Sequence, residues 1–253
     1  MTKLIVHEDY RLNMRNLDYT GLFTGAGYIL TDTMLRFFYP DGSIELFRGF
    51  GFGTDGSGNP TKGFVRSYAL IVDGDRALSL DGLDLKMSEI IRAALTFSAV
   101  DDRRLVEKMF SGNDIIKGGD LDDVIRGHKG NDKITGGVGA DALYGGLGSD
   151  MFVFRSIEDS SVEPFGRDKI YDFSPFQKDR IDLRSIDANS DKSGNQKFQF
   201  IGDDQFNQKA GELRYQKKGS DTLIYGDLDG DGNADFSIAL DTALILKSAD
   251  FIL

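Results

Sequence analysis

The chain contains no cysteine, so neither a disulfide framework nor a thiolate site for zinc or redox chemistry can be built from it. Histidine is almost as scarce: only His7 and His128 occur. A catalytic zinc helix with two histidines four residues apart is therefore excluded. Both histidines are expected to be solvent-facing bystanders, because no second histidine or acid stands at ligand spacing. Long apolar runs are missing too, and nothing approaches the ~18 consecutive residues of a spanning helix, so no transmembrane segment is expected. Met1 to Asp9 hold one lysine and no apolar core of ~7–15 residues, so Sec export from this end is not expected. Positive charge is short as well. Lys and Arg total 30 against 41 Asp and Glu, and the formal charge of −11 argues against nucleic acid and for cations as partners.

What the chain does have is a period. From Met109 onward five nonapeptides follow without a slip: MFSGNDIIK, GGDLDDVIR from Gly118, GHKGNDKIT from Gly127, GGVGADALY from Gly136 and GGLGSDMFV from Gly145. Eleven of the 31 glycines lie between Ser111 and Asp150, which sets this segment apart as its own unit. A disordered linker would need neither the strict period nor the aliphatic or aromatic residue at every eighth position.

The sixth position is Asp in every copy: Asp114, Asp123, Asp132, Asp141 and Asp150. The eighth is always apolar, as Ile116, Ile125, Ile134, Leu143 and Phe152. This is the pattern of a six-residue turn followed by a three-residue strand that points one side chain inward, with positions seven and nine, such as Lys133, Thr135 and Tyr144, facing solvent. Two nonapeptides per coil would stack Asp114, Asp132 and Asp150 on one edge and Asp123 and Asp141 on the other, successive coils being ~4.8 Å apart. Such ladders of like charge raise the carboxylate pKa values and push the coils apart unless a cation sits between them. Calcium suits the site, because it takes ~6–8 oxygen ligands and tolerates mixed carboxylate and carbonyl shells. Three sites are expected inside the array, between 114 and 132, 123 and 141, and 132 and 150, with room for partial ones at its ends. Backbone carbonyls of positions one to four should complete them, drawn from Gly112, Gly118, Asp120, Gly127, Lys129, Gly130, Gly136, Gly137, Gly139, Gly145, Gly146 and Gly148. Leu121 replaces a fourth-position glycine and is expected to distort the turn that leads to Asp123.

Three segments follow: 1–107, 108–155 and 156–253. The first has β runs at Gly27–Tyr39, Ser43–Phe50 and Gly63–Val72, broken at Pro40-Asp41-Gly42 and Asp73-Gly74-Asp75, then a helical stretch from Lys86 to Ala99 that should cap the repeats. The third returns to short runs at Lys197–Ile201, Glu212–Gln216, Thr222–Tyr225 and Asp235–Leu240. The expected fold class is all-β: a parallel β-roll continuing into a C-terminal β-sandwich, preceded by a mostly-β capping domain.

The glycine-rich nonapeptide resembles the calcium-binding repeat of RTX proteins. The stretches Asp168-Lys-Ile-Tyr-Asp-Phe, Lys178-Asp-Arg-Ile-Asp-Leu, Gly211-Glu-Leu-Arg-Tyr and Gly226-Asp-Leu-Asp-Gly-Asp-Gly-Asn-Ala-Asp-Phe resemble the C-terminal domain of serralysin-type proteases, so that the likeness covers 109–253. The resemblance implies Ca²⁺ as cofactor, folding triggered by calcium, a type I secretion apparatus as partner, and an extracellular destination. It also implies an uncleaved export signal, which Asp250-Phe-Ile-Leu253 fits, and a further calcium held by Asp159 and Asp168 just after the roll. The protease zinc motif of that family is absent, so no proteolysis is expected.

Asp227-Leu-Asp-Gly-Asp-Gly-Asn-Ala-Asp235 is similar to the start of an EF-hand loop, yet Ile238 stands where its bidentate Glu belongs. A hairpin turn rich in Asp and Gly is the preferred reading. The aromatics Phe37, Phe38, Tyr39, Phe47, Phe50 and Phe52 are read as core, with a sugar-stacking face as the alternative. No pair of acids is singled out by spacing for glycoside hydrolysis. The expectation is a secreted, non-enzymatic binding protein of a cell surface or matrix. The alternative, suggested by similar repeats in alginate epimerases, is an exopolysaccharide-active enzyme or its accessory module.

Overall fold

The runs of the first segment form an antiparallel meander, because most of them hide one face and each is followed by residues that tolerate a tight turn. The computed structural model describes residues 1–14, 27–95 and 99–253. Its first strand, β1 (Lys3–Val6), is followed by β2 (Gly27–Leu30), β3 (Met34–Phe38), β4 (Ile44–Thr54), β5 (Pro60–Val72) and β6 (Asp75–Lys86). The run expected at Gly27–Tyr39 is thus a hairpin of two strands. Asp73 and Gly74 take left-handed φ values of 53° and 92° to turn β5 into β6, as the Asp-Gly signal requires. Phe37, Phe47 and Phe52 are core, whereas Phe50 is exposed and stacks on Phe64 at 5.1 Å.

The expected helix 86–99 is shorter, α1 (Met87–Ala94), and a second one, α2 (Ala99–Met109), follows it. Glu89 joins the two. Its carboxylate accepts the Lys86 backbone N–H at 2.9 Å and pairs with Lys108 at 2.6 Å. Ile90, Ala93 and Ala94 bury one face of α1; Leu105, Val106 and Met109 bury one face of α2. The first nonapeptide therefore opens on a helix end, not on a turn.

Each following nonapeptide gives one short strand: β7 (Ile115–Lys117), β8 (Val124–Arg126), β9 (Lys133–Thr135), β10 (Ala142–Tyr144) and β11 (Met151–Val153). All five eighth-position side chains are buried. β7, β9 and β11 stack in parallel in one sheet, β8 and β10 in the other. Thr135 was expected outside but is only 8% exposed, since a short side chain between longer neighbours, such as Lys117 beside it, has little access to water.

The third segment prolongs both layers with β12 (Lys169–Ile170), β13 (Arg180–Asp182), β14 (Gln199–Phe200), β15 (Glu212–Lys218), β16 (Asp221–Asp227), β17 (Phe236–Leu240) and β18 (Phe251–Ile252). One sheet runs β18-β13-β11-β9-β7-β1-β6-β5-β4-β3-β2, the other β14-β15-β16-β17-β12-β10-β8. Phe200 from one sheet meets Phe251 from the other at 5.1 Å, so the C-terminal part is a sandwich of the same two layers. The fold is a parallel β-roll that continues into a β-sandwich, with an N-terminal β-rich part, as expected.

β1 is the joint between the two kinds of sheet. Leu4 pairs in parallel with Ile116 of β7 and antiparallel with Leu80 of β6. On the other edge, Asn13 bridges in parallel to Val124. Residues 1–14 thus make the first coil of the roll without carrying its repeat. Among the described residues no helix is long and apolar enough to cross a membrane.

Candidate metal centre

The turn aspartates stand in two ladders, with the edges the repeat predicts. On the first, Asp132 Oδ1 accepts the Asp114 backbone N–H at 2.7 Å and Asp150 Oδ1 accepts that of Asp132 at 2.8 Å. On the second, Asp141 Oδ1 accepts the Asp123 N–H at 2.7 Å. Below them, Asp114 Oδ1 accepts from Thr2 and Asp123 Oδ1 from Leu12 at 2.5 Å, which is how the N-terminal coil closes both ladders.

Both ladders continue past the repeats. Asp168 Oδ1 accepts the Asp141 N–H at 2.9 Å, and Asp179 Oδ1 accepts that of Asp150 at 2.9 Å. Asp168 was expected as a ligand of an extra ion; Asp179 was not singled out. The available signal was the tripeptide Asp-x-Ile, since Asp168-Lys-Ile and Asp179-Arg-Ile repeat the turn-to-strand step of the nonapeptides. The ladder step grows there from 18 residues to 27 and 29, so the fixed period hides it. Asp172 joins the same end by accepting the backbone N–H groups of Gly145 and Gly146, and Gln177 by accepting that of Gly148.

One oxygen of each carboxylate is thus spent on the ladder, and the other decides what the site can do. The Oδ2 atoms of Asp114, Asp132, Asp141, Asp150 and Asp168 are buried with no hydrogen-bond partner. Burial pushes Asp132 up to about 7, with the Asp150 and Asp114 charges adding to it, and Asp141 up to about 8, aided by Asp123, Asp122 and Asp159. Burial also raises Asp114, Asp123, Asp150, Asp159 and Asp168; for Asp168 the Asp141 charge is the next largest cause. Asp179 is raised to about 6 by burial. Such a set of unsatisfied oxygens is costly in a dry edge. A hard cation satisfies all of them together.

Turn carbonyls of one coil lie against the glycines of the next. A Cβ on Gly130 would overlap Gly112 O, one on Gly148 Gly130 O, one on Gly137 Gly119 O, and one on Gly146 His128 O. First-position glycines face both kinds of oxygen: a Cβ on Gly118 would strike Gly136 O and Asp123 Oδ2, on Gly127 Asp132 Oδ2, on Gly136 Asp141 Oδ2, and on Gly145 Asp150 Oδ2. Gly139 packs on the Leu121 carbonyl in the same way. Any side chain at these positions would fill the cradle. An all-oxygen set of carboxylates and carbonyls fits Ca²⁺ rather than a thiolate- or imidazole-seeking metal. Asp120 and Lys129 are exposed at the turn tips, and the expected sites call only on their backbone carbonyls.

Leu121 does not break the ladder. It begins its edge of the repeats, 42% exposed, so the requirement for glycine that holds in the next coil does not bind here. Asp123 differs in another way: its Oδ2 accepts the Gly119 N–H at 2.8 Å, which leaves it no orphan oxygen. Asp159 is buried, caps the short helix at Ile157–Asp159 by accepting the Ser156 N–H, also accepts the Arg155 N–H at 2.6 Å, and lies close enough to raise Asp141 and Asp168. The pair Asp159 and Asp168 is therefore brought together at the upper end of the second ladder.

Two smaller expectations change and a third, the Asp227–Asp235 hairpin, holds. His128 is half-buried, with a left-handed φ of 71° and its ring stacked on Phe110, because it occupies a second-position glycine site. His7 lies with Glu8 and Asp9 so that ligand atoms of all three fall within 4.8 Å, a cluster of sequence neighbours without motif spacing. The Asp227–Asp235 loop is the hairpin between β16 and β17, and it also clusters Asp227, Asp229 and Asp235. Both oxygens of the buried Asp227 are already engaged, by Gly230 and Gly232 N–H.

The raised carboxylates set a pH dependence. In the metal-free fold Asp132 and Asp141 hold protons up to about 7 and 8, while in the unfolded chain they ionise near 3.8, so the folded state binds more protons in between and loses stability as pH rises. In chelator, the β ellipticity of the roll is expected to be greater near about pH 5 than about pH 8, and in calcium the order of stability reverses, since protons compete with the ion. A β signal in chelator that climbs with pH over this window would contradict the assignment.

Residues 104–253, more than half of the chain, match the family described as Peptidase M10 serralysin C terminal. Among solved structures, the AlgE6R3 subunit of the mannuronan C5-epimerase of Azotobacter vinelandii is 28% identical, covering 56% of this chain and 73% of the other at a TM-score of 0.39. The AlgE6R2 subunit of the same enzyme is 25% identical, covering 56% and 88% at a TM-score of 0.40. A comparison with curated proteins found no match. With two aspartate ladders on a parallel roll and this match along its length, the chain belongs to the serralysin C-terminal family of M10 peptidases, without a protease zinc motif of its own.

Proposed function

We propose that the protein is a secreted, non-enzymatic binding protein whose β-roll stays open where calcium is scarce and closes on calcium outside the cell, after passage through a type I secretion apparatus. The observation that carries this reading is the set of five buried, unpartnered aspartate oxygens on stacked turns. Without a cation they oppose the fold, and with one they fasten successive coils. Each of the three middle nonapeptides hides one apolar side chain for nine residues ordered, which leaves that part of the roll little else to hold it. Equilibrium dialysis of the intact protein in about millimolar calcium, the range of extracellular sites, is the direct test. Ions are expected at the five ladder rungs, 114–132, 132–150, 150–179, 123–141 and 141–168. Recovery of no bound calcium sinks the reading.

The enzymatic alternative has one observation in its favour. Glu45, half-buried on the inner face of β4, accepts hydrogen bonds from the Tyr39 and Tyr68 hydroxyls at 2.5 and 3.0 Å, and burial raises its pKa. Release of cleaved or epimerised product from acidic exopolysaccharides, lost in Glu45→Gln, would favour it.

A further inference from the structure

The strands whose turns bear the aspartate ladder bear a second ladder, of opposite sign, on the outer face of their sheet. Lys3 of β1, Ile115 of β7, Lys133 of β9, Met151 of β11 and Arg180 of β13 stand in one register row. With strands ~4.8 Å apart, the three cations recur about every 10 Å with one apolar side chain between them. Lys117 stands one row over, diagonal to both Lys3 and Lys133. Among the described residues none of Lys3, Lys117, Lys133, Arg155 or Arg180 makes an ion pair. The carboxylates nearby are Asp81, opposite Lys3, and Asp182, which is held by Arg184 through two hydrogen bonds. Burial lowers the Lys117 pKa, and the Arg155, Lys3 and Lys133 charges lower it further.

A concentration of unneutralised cations on a chain of formal charge −11 runs against its composition and calls for an anion. We infer that this face binds a linear, carboxylate-bearing polysaccharide, and that it does so only in the closed roll. The second half follows from sequence distance: residues 3, 117, 133 and 180 meet because the coils stack, so the inference rests on calcium-driven closure. The choice of partner follows from spacing. Duplex DNA carries a charge every ~1.7 Å, far denser than this row, and would meet an acidic protein. An acidic sugar chain spaces its carboxylates by whole rings and offers the C–H faces of those rings to Ile115 and Met151.

The test is binding of short galacturonate oligomers to the intact protein by biolayer interferometry, with circular dichroism on the same samples. Binding in calcium that weakens with added salt, and none to neutral dextran oligomers, is expected. The double variant Lys117→Gln/Lys133→Gln should bind about tenfold more weakly while keeping the calcium-induced spectrum. Because that variant retains every ladder aspartate, attachment bridged by calcium alone would survive in it. Equal binding by parent and variant, or duplex DNA or anionic vesicles binding as tightly as the oligomer, overturns the inference. A parent spectrum indifferent to calcium strikes the folding reading instead, so the two failures are distinguishable.

Discussion

In EGTA at neutral pH the intact protein is expected to lose the β ellipticity of the roll and of the strands stacked on it, and to regain both when calcium is restored. The size of the effect follows from linkage. A site filled at about ten times its Kd adds about 1.4 kcal/mol to the folded state. Five rungs then add about 7 kcal/mol, which lies within the ~5–15 kcal/mol that holds a whole domain together. Removal of the ion also leaves Asp132 and Asp141 buried, where burial first and the neighbouring carboxylates second oppose their charge. The antiparallel meander β2–β6 carries no ladder aspartate and has core of its own, so a residual β signal is expected from it. A spectrum that ignores the chelator would end the argument.

The second large effect is expected at Asp132→Ala. Asp132 is the second of the four aspartates of the longer ladder and, like Asp150, is shared by the sites below and above it. Its loss strands the buried Asp114 N–H, at a cost of about 1–3 kcal/mol, and takes one carboxylate from each of two ions. Calorimetry should count about two ions fewer than in the parent, and the calcium concentration at half-folding should rise several-fold. Asp120→Ala, at an exposed turn tip, should leave both values unchanged. An Asp132→Ala protein that binds as many ions as the parent would show that the coils are stacked in a different register.

The ladders were legible because nine residues per half-coil fixes, by arithmetic alone, which aspartates share an edge; the Asp114–Asp132–Asp150 and Asp123–Asp141 alignments follow from counting. Where the spacing breaks, counting fails. Asp179 lies beyond an insertion and is recognisable only by its Asp-Arg-Ile step. β1 shows no repeat at all, and its pairing partner lies 112 residues away, a contact that no local pattern encodes. The second helix was hidden for a different reason: Leu105, Val106 and Met109 have helical spacing, but Met109 also fits the first position of the nonapeptide. Thr135 misled because exposure at a ninth position depends on the length of the side chains beside it.

The double allegiance of β1 has a consequence for handling the molecule. When the coils are apart, the flank of β1 that pairs with Lys117 and its neighbours becomes a bare seam of amides, while its other flank stays stitched to the meander. Such a seam is a template for a second polypeptide, so preparations starved of the ion should clump through intermolecular pairing, and supplying it early should keep them dispersed.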